Sequence, residues 1–349
     1  MKQKRRLAQI LIGLIIVLIA VISISASLGS ARIAVMDCFK IIVSKIPILD
    51  QCVDVSDIKE VYFTIVCKVR LPRILLAGIT GCGLAVVGAV FQGLFRNPLA
   101  DPHILGVSSG AALGATIAML SGISFHIGSL GVIGVFAFVG ALITVLFVYM
   151  ISMFGSSHHV TSMLLTGTAV STMISAVISL LMSLHHDEIE KVYMWTLGSF
   201  SSANWGKVRF LLFFVGIGTV IMILFANDLN VLMTGEDSAK SLGINIVAVK
   251  KIMIVVASFL VGACVSVSGI IGFVGLLIPH CTRIVVGPDH RRLLPICCFV
   301  GAIFMILCDT IARTLIAPSE LPVGVITAIF GAPYFIFLLY YSQRKVKNG

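Results

Sequence analysis

The chain reads RLPRILLAGITGCGLAVVGAVFQGLFRNPLADPHILGVSSGAAL from Arg70 to Leu113. Two arginines flank a proline at its start, and the next charged residue along the chain is Arg96. A polar turn that ends at Pro102 separates this apolar run from a second, glycine-rich one. Because about 20 apolar residues cross the hydrocarbon core of a bilayer, the stretch predicts two membrane helices joined by a proline-broken turn.

Small residues recur every four positions in both predicted helices. They are Ala77, Gly81, Ala85, Ala89 and Gly93 in the first helix, and Gly106, Gly110, Gly114 and Ala118 in the second. Spacing by four places them in one stripe, where another helix can approach to backbone contact and gain dispersion energy that lipid does not supply. We therefore expect both helices to pack against protein.

The composition extends this pattern to the whole chain. Hydrophobic residues make up 58% and charged residues 11% of the 349 positions, and the mean hydropathy is +1.10. So little polar surface cannot coat a soluble globule. We therefore expect an all-α integral membrane protein, since a helix satisfies its backbone polar groups within the bilayer.

Ten apolar runs can be counted along the chain, of which the eighth is the shortest. The predicted spans are Leu7–Leu28, Leu71–Phe95, Ile104–Gly122, Gly128–Phe154, Thr161–Ser183, Lys207–Ala226, Lys250–Gly269, Ile271–Val286, Leu293–Ile316 and Val323–Tyr341. They predict a single polytopic transmembrane domain over residues 1–349.

Basic residues set the predicted orientation. An even number of spans places both termini on one side, and both termini are rich in lysine and arginine. Since such residues accumulate on the inner side, the termini are predicted to be cytoplasmic. Residues 29–69 then form an external loop and residues 228–251 a cytoplasmic one. The net charge of +10 reports this orientation and not nucleic-acid binding, because no basic stripe or aromatic platform is present.

Several catalytic and metal-binding motifs are missing from the sequence. There is no G-x-x-x-x-G-K-[ST] phosphate loop and no HExxH or CxxC motif, so we expect no enzyme activity, no cofactor and no metal site. His185 and His186 are adjacent and would point in divergent directions. The predicted spans carry no run of acids or histidines, which argues against an ion-coupled secondary transporter.

Most of the nine cysteines lie in or beside apolar runs, where a thiol behaves as a small hydrophobic group. Only Cys38 and Cys52 share the external loop. A disulfide between these two is possible in that compartment.

Three arginines run against the predicted charge distribution. Arg70 and Arg73 end the external loop, and Arg313 lies near the outer end of the ninth span. An acidic partner surface would explain them, because guanidinium groups pair bidentately with carboxylates. Contact with lipid headgroups explains them equally well.

The fifth span carries an unusual number of hydroxyl groups. Five of them lie roughly on one face: Thr161, Thr168, Thr172, Ser175 and Ser179. Lipid does not favour such a face, whereas a wet cavity does, so this helix is the best pore-lining candidate. The alternative is that each hydroxyl bonds back to a carbonyl of its own helix.

The predicted cytoplasmic loop contains the segment TGEDSAKSLG. Thr234 and Asp237 have the spacing of a capping box, and Gly243 can end the helix. The segment therefore predicts a short, well-capped helix outside the membrane, serving either a partner or a rigid connection.

Several motifs, in order along nearly the whole chain, resemble the FecCD family of permease subunits of binding-protein-dependent ABC importers. They are RLPR, GAVFQGLFRNPLADPHILGVSSGAALG, GEDSAKSLG, GFVGLLIPH and DTIARTLIAPSELPVGVITAIFGAPYFIFLL. The resemblance implies a ten-transmembrane-helix type II ABC importer permease fold. It also implies a homodimer or pseudo-dimer in the cell membrane, two cytoplasmic ATPase subunits and an external binding protein.

The resemblance also implies roles for individual residues. Arg70, Arg73 and Arg313 match arginines that, in the cobalamin importer permease, pair with glutamates of the binding protein. The fifth span resembles the pore-lining helix, with Tyr193–Phe200 beside the cavity and Pro322–Thr327 near the outer mouth. The coupling loop that seats on the ATPase is matched by Gly235, Glu236, Asp237, Ser238, Ala239, Lys240, Ser241, Leu242 and Gly243.

We therefore predict a permease subunit that forms the translocation path for an iron(III)-siderophore complex. Haem and cobalamin remain open as alternative substrates of the same family, because the binding protein does most of the selecting. An ion-coupled secondary transporter is the alternative from a different class.

Overall fold

The computed structural model describes residues 2–29, 31–45, 53–123, 125–154 and 159–347. In order along these residues the α-helices are α1 (Lys2–Ser27), α2 (Val35–Val43), α3 (Glu60–Thr64), α4 (Leu71–Leu94), α5 (Val107–Ser121), α6 (Val132–Phe154), α7 (His159–Leu184), α8 (Ile189–Thr196), α9 (Trp205–Leu224), α10 (Ala226–Thr234), α11 (Glu236–Ser241), α12 (Ile246–Ser268), α13 (Val274–Val286), α14 (His290–Thr314) and α15 (Val323–Lys347). A π-helical segment, Ile65–Arg70, precedes α4, and a 3₁₀ helix, Pro102–Leu105, precedes α5. One two-stranded ribbon pairs β1 (His126–Ile127) with β2 (Leu130–Gly131).

The prediction of ten apolar helices is confirmed. Among the described residues, seven helices are long and apolar enough to cross a bilayer. Three shorter apolar segments, α5, α13 and Val323–Phe337 of α15, match the third, eighth and tenth predicted spans. The protein is therefore an all-α integral membrane protein. One apolar core joins residues from α1 to α15, so the helices pack as one bundle.

Helix α4 lies at the centre of this bundle and packs against α9, α12, α13 and α14. Its contact with α14 depends on two glycines that face each other. A methyl carbon added at Gly81 would lie 2.2 Å from the carbonyl oxygen of Gly301, and one added at Gly301 would lie 2.4 Å from that of Gly81. The two backbones therefore touch, as the stripe of small residues in α4 predicts.

The second predicted stripe packs in the same way. A methyl carbon at Gly110 would lie 2.5 Å from the carbonyl oxygen of Gly140, and one at Gly114 would lie 2.1 Å from that of Phe136. Helices α5 and α6 are thus held in backbone contact. Together with the contacts of α4, they fix the positions of the helices that surround the candidate site.

Helix α13 starts inside the bundle. Its 13 residues span about 20 Å at 1.5 Å per residue, which is less than the roughly 30 Å of hydrocarbon. The chain reaches its start through Gly269 and Phe273, both with positive φ. Gly275 then packs on α4, where a methyl carbon at Gly88 would lie 1.9 Å from the Gly275 carbonyl oxygen.

Substitution of Gly81 by alanine should destabilise the bundle. The new methyl group would have to displace the backbone of α14, and such overpacking costs about 1–3 kcal/mol. Gly216→Ala in α9 is the matched control, because nothing lies within 4 Å of a methyl carbon there. We expect a lower thermal unfolding midpoint in detergent for Gly81→Ala alone; equal midpoints would contradict the backbone contact.

Candidate functional site

The three predicted arginines come together at one end of the bundle. This end, where α1 ends, α4 begins and α14 ends, is called here the arginine face, and it contains Arg70, Arg73, Asp309, Arg313 and Glu320. Arg313 is far from the other two arginines in sequence. The antiparallel packing of α4 and α14 brings it to them.

Two of these arginines hold the end of α1. Arg70, which is 6% exposed, donates to the carbonyl oxygens of Ala26 and, at 3.2 Å, of Ser27. Arg313 donates to the carbonyl oxygen of Leu28 at 2.7 Å. The last carbonyls of a helix have no partners within it, so these guanidinium groups satisfy acceptors that would otherwise be left open.

Arg73 instead binds two carboxylates. Its Nε and Nη2 donate to Asp309 at 3.1 and 2.9 Å, and its Nη1 donates to Glu320 at 2.8 Å. The side chain of Asp309 is 1% exposed, whereas that of Glu320 is 41% exposed. Arg313 Nε lies 3.8 Å from Asp309, so the buried carboxylate is shared by two guanidinium groups.

The hydroxyl-bearing face of α7 is exposed along its length. Thr168, Thr172, Ser175 and Ser179 follow one another at helical spacing, and all four are exposed. Each donates to a carbonyl three or four residues earlier, as the alternative explanation predicted. The side chain of Thr161 lies outside the described residues.

The segments predicted to lie beside the cavity and near the outer mouth, Tyr193–Phe200 and Pro322–Thr327, contact each other. Val323 N–H donates to the Gly198 carbonyl at 3.0 Å, and Gly324 N–H donates to that of Leu197 at 3.1 Å. Beside this junction lies an open cleft of about 610 Å³. Its lining is mostly apolar and includes Thr196, Leu197, Ile270, Val325, Ala328 and Ile329.

The predicted coupling segment forms α11, flanked by two glycines with positive φ, Gly235 and Gly243. The end of α11 is a Schellman motif: Gly243 N–H donates to the Lys240 carbonyl and Ile244 N–H to that of Ala239. Ala239 is buried, and Asp237, Ser238, Lys240, Ser241 and Leu242 are exposed. The helix therefore presents a polar outer surface.

The predicted capping box at the start of this helix is wrong. Thr234 is still the last residue of α10, so its hydroxyl donates back to the Val231 carbonyl at 2.8 Å. Gly235 occupies the N-cap position and no side chain caps the helix. The continuation of α10 up to Thr234 is what overrides the local pattern.

A set of hydrogen-bonded polar groups that the sequence did not indicate connects α10 to α14. It contains Asn230, Asp289 and His290 and is called here the polar network. Asn230 donates to Asp289 at 2.7 Å and accepts the backbone N–H of His290 at 2.8 Å. The Arg291 guanidinium, together with Asn230, lowers the pKa of Asp289 to about 2. This carboxylate is therefore charged at every ordinary pH, and it also caps the start of α14.

Only one of the two cysteines of the possible external disulfide, Cys38, lies among the described residues. Cys38 is buried and carries a free thiol. Cys52, its possible disulfide partner, lies outside the described residues. Within the described part of the chain, no three His, Cys, Asp or Glu side chains are grouped so that they could hold a metal ion.

This architecture is that of a type II ABC importer permease, a multi-pass membrane subunit that works with partner subunits. A solved transporter of the metal-chelate ABC type, in an inward-facing conformation, matches it with a TM-score of 0.83 at 34% sequence identity. That match covers 96% of this chain and 99% of the other. Residues 15–341 match the FecCD transport family, and the chain belongs to that family.

Relatives in this family carry different substrates in their names. The cobalamin import permease of Halobacterium salinarum is 43% identical over 83% of this chain and 76% of its own length. The hemin transport permease of Yersinia pestis is 38% identical over 81% of this chain and 84% of its own length. The family thus gives the class of protein, while its members differ in cargo.

Asp309→Asn should destabilise the protein by about 3–5 kcal/mol, because it leaves Arg73 and Arg313 without their buried counter-charge. Glu320→Gln is the matched control: it removes an exposed carboxylate from the same guanidinium and should cost about 1 kcal/mol or less. Thermal unfolding midpoints in detergent measure both. Equal shifts for the two variants would show that Asp309 is not the structural counter-charge.

Proposed function

We propose that this permease forms the translocation path for an iron(III)-siderophore complex that an external binding protein delivers and two cytoplasmic ATPase subunits drive. The observation that carries the proposal is the placement of two polar sites at opposite ends of α14. The arginine face surrounds Asp309 and Arg313, and the polar network at the start of α14 contains Asp289 and His290, bound to Asn230 of α10. The 25 residues of α14 span about 37 Å, roughly the thickness of a bilayer.

In the proposed orientation the arginine face is external, and α11 and both termini are cytoplasmic. The excess of lysine and arginine near the termini supports it. Residues 29–69 then form the external loop and residues 228–251 the cytoplasmic loop of one polytopic domain.

Docking is proposed to use Arg70, Arg73 and Arg313 against carboxylates of the binding protein. Guanidinium groups recognise carboxylates bidentately and steer charged partners into register. The three arginines contribute differently, since Arg70 and Arg313 are buried against α1 whereas Arg73 holds the exposed Glu320. We therefore assign direct exchange with a partner carboxylate to Arg73, and the shaping of the surface to the other two.

Coupling is proposed to use residues 235–243, seated on one ATPase subunit through the exposed side of α11. A displacement of α11 reaches α10 directly, because only Gly235 separates them. The polar network, through the hydrogen bond from Asn230 to Asp289, then transmits the displacement to α14. Motion at the ATPase thus acts on the same helix that carries the arginine face.

The path itself is proposed to run along α7, between this chain and a second permease copy in a homodimer or pseudo-dimer. The residues proposed to line it are Thr161, Thr168, Thr172, Ser175 and Ser179. Among the described residues α7 is, after α1, the least buried of the seven long apolar helices. A membrane helix that exposes a hydroxyl face suits a water-filled cavity better than lipid.

The iron(III)-siderophore assignment is favoured by the structural similarity to a metal-chelate type transporter. A face of hydroxyl oxygens also suits a large, polar chelate. Haem and cobalamin are the second candidates, because close relatives bear those names.

Transport by the assembled importer tests the substrate. The permease, its ATPases and its binding protein should be reconstituted together in liposomes and supplied with iron(III)-siderophores, haem and cobalamin in turn. We expect accumulation of the iron(III)-siderophore with ATP and none with ADP. Accumulation of haem or cobalamin alone would overturn the substrate, and accumulation without nucleotide would overturn the importer mechanism.

Charge reversal of the arginine face tests docking. Arg73→Glu should abolish stimulation of the ATPase by the binding protein, because a like charge would then face the partner carboxylate. Arg70→Glu and Arg313→Glu should reduce it. All three reversals should also lower the thermal midpoint, since Arg70 and Arg313 hold α1 and Arg73 pairs with the buried Asp309. Lys59→Glu, at an exposed basic residue outside the arginine face, is the control. Unchanged stimulation in Arg73→Glu, with normal membrane insertion, would remove the docking role.

A further inference from the structure

Glu320 occupies an unusual position on the arginine face. Both of its carboxylate oxygens accept from Arg73 Nη1, at 2.8 and 2.9 Å. Arg73 already has a buried counter-charge in Asp309, which binds the other edge of the guanidinium. Glu320 is therefore the second carboxylate on Arg73, and it covers the edge that faces solvent.

The ion pair between Arg73 and Glu320 is open to solvent on its carboxylate side, where Glu320 is 41% exposed, so this contact exchanges readily. In water such pairs contribute little, because solvent competes for both partners. A second carboxylate brought to the same edge can replace the first without leaving any buried charge unpaired, since the Arg73–Asp309 bond persists. The net charge around Arg73 is therefore unchanged by the exchange.

The turn that carries Glu320 leads directly to the cleft beside α15. On one side of Glu320, residues 315–319 form an exposed turn after α14. On the other side, Leu321 N–H donates to the Ala312 carbonyl, and Val323 and Gly324 bond to the end of α8. The side chain of Glu320 is thus the link between this turn and α4.

We propose that Glu320 is an internal stand-in for the docking carboxylate: it occupies Arg73 while the permease is free, and a carboxylate of the binding protein displaces it on docking. The proposal rests on the docking function proposed above. Its consequence is mechanical, because a displaced Glu320 releases the turn of residues 315–322 from α4. Docking would then free the turn that leads to this cleft.

The geometry of the face supports displacement over simple addition. Three guanidinium groups share two carboxylates, and the hydrogen bonds of Arg70 and Arg313 go largely to backbone carbonyls of α1 and the residues after it. Arg73 is 12% exposed. The edge of its guanidinium that could meet a partner is the one that Glu320 already holds.

The test uses the complete importer in nanodiscs, with Glu320→Gln as the variant. Removal of the competing carboxylate should tighten binding of the binding protein about 1.5- to 5-fold, the range expected for an exposed pair. Glu320→Asp, which keeps the charge on a shorter side chain, should fall between the variant and the wild type. A fluorescent amino acid at position 319 should become mobile on docking in the wild type and be mobile beforehand in Glu320→Gln.

The outcomes separate this proposal from the docking function. If Arg73→Glu abolishes docking while Glu320→Gln leaves both affinity and mobility unchanged, the docking function stands and the stand-in role falls. Weaker docking in Glu320→Gln would make Glu320 a direct contact and would also overturn the proposal. If Arg73→Glu leaves docking intact, the docking function itself falls and this inference falls with it. The thermal midpoint of Glu320→Gln checks that the variant is folded.

Discussion

Direct contact between the backbones of α4 and α14 is the constraint on which the rest of this structure depends. Gly81 and Gly301 admit no side chain between the two helices, so this pair fixes where the backbones of α4 and α14 meet. The same register places Arg73 opposite Asp309 near one end and Gly93 against His290 near the other. A shift of one residue would separate a buried carboxylate from its guanidinium group. Glycine packing therefore determines the electrostatics at both ends.

Helix α14 connects two polar sites through an apolar interior. One end is bound to α10 through Asn230 and Asp289, and the other is bound to α4 through Asp309. Between them α14 packs along α4, and its Gly301 touches the backbone of Gly81. Such an element can carry a displacement from one membrane surface to the other, because neither end can yield without breaking hydrogen bonds of charged groups.

The sequence predicted the features that arise from local pattern, and it missed those that arise from contacts between distant segments. Ten apolar runs and two stripes of small residues predicted the helices and how they touch. The partners of Arg73 were not predictable, since Asp309 lies 236 residues away and Glu320 lies 247 residues away. The capping box failed because α10 extends to Thr234.

The exposed hydroxyl groups of Thr168, Thr172, Ser175 and Ser179 on α7 all donate their hydrogen bonds to carbonyl oxygens of their own helix. What they present outward is a row of oxygen lone pairs with no donors to offer. Water and solutes can donate hydrogen bonds to this surface, but they receive none from it. Along the path proposed for α7, a bulky solute would therefore be held only loosely.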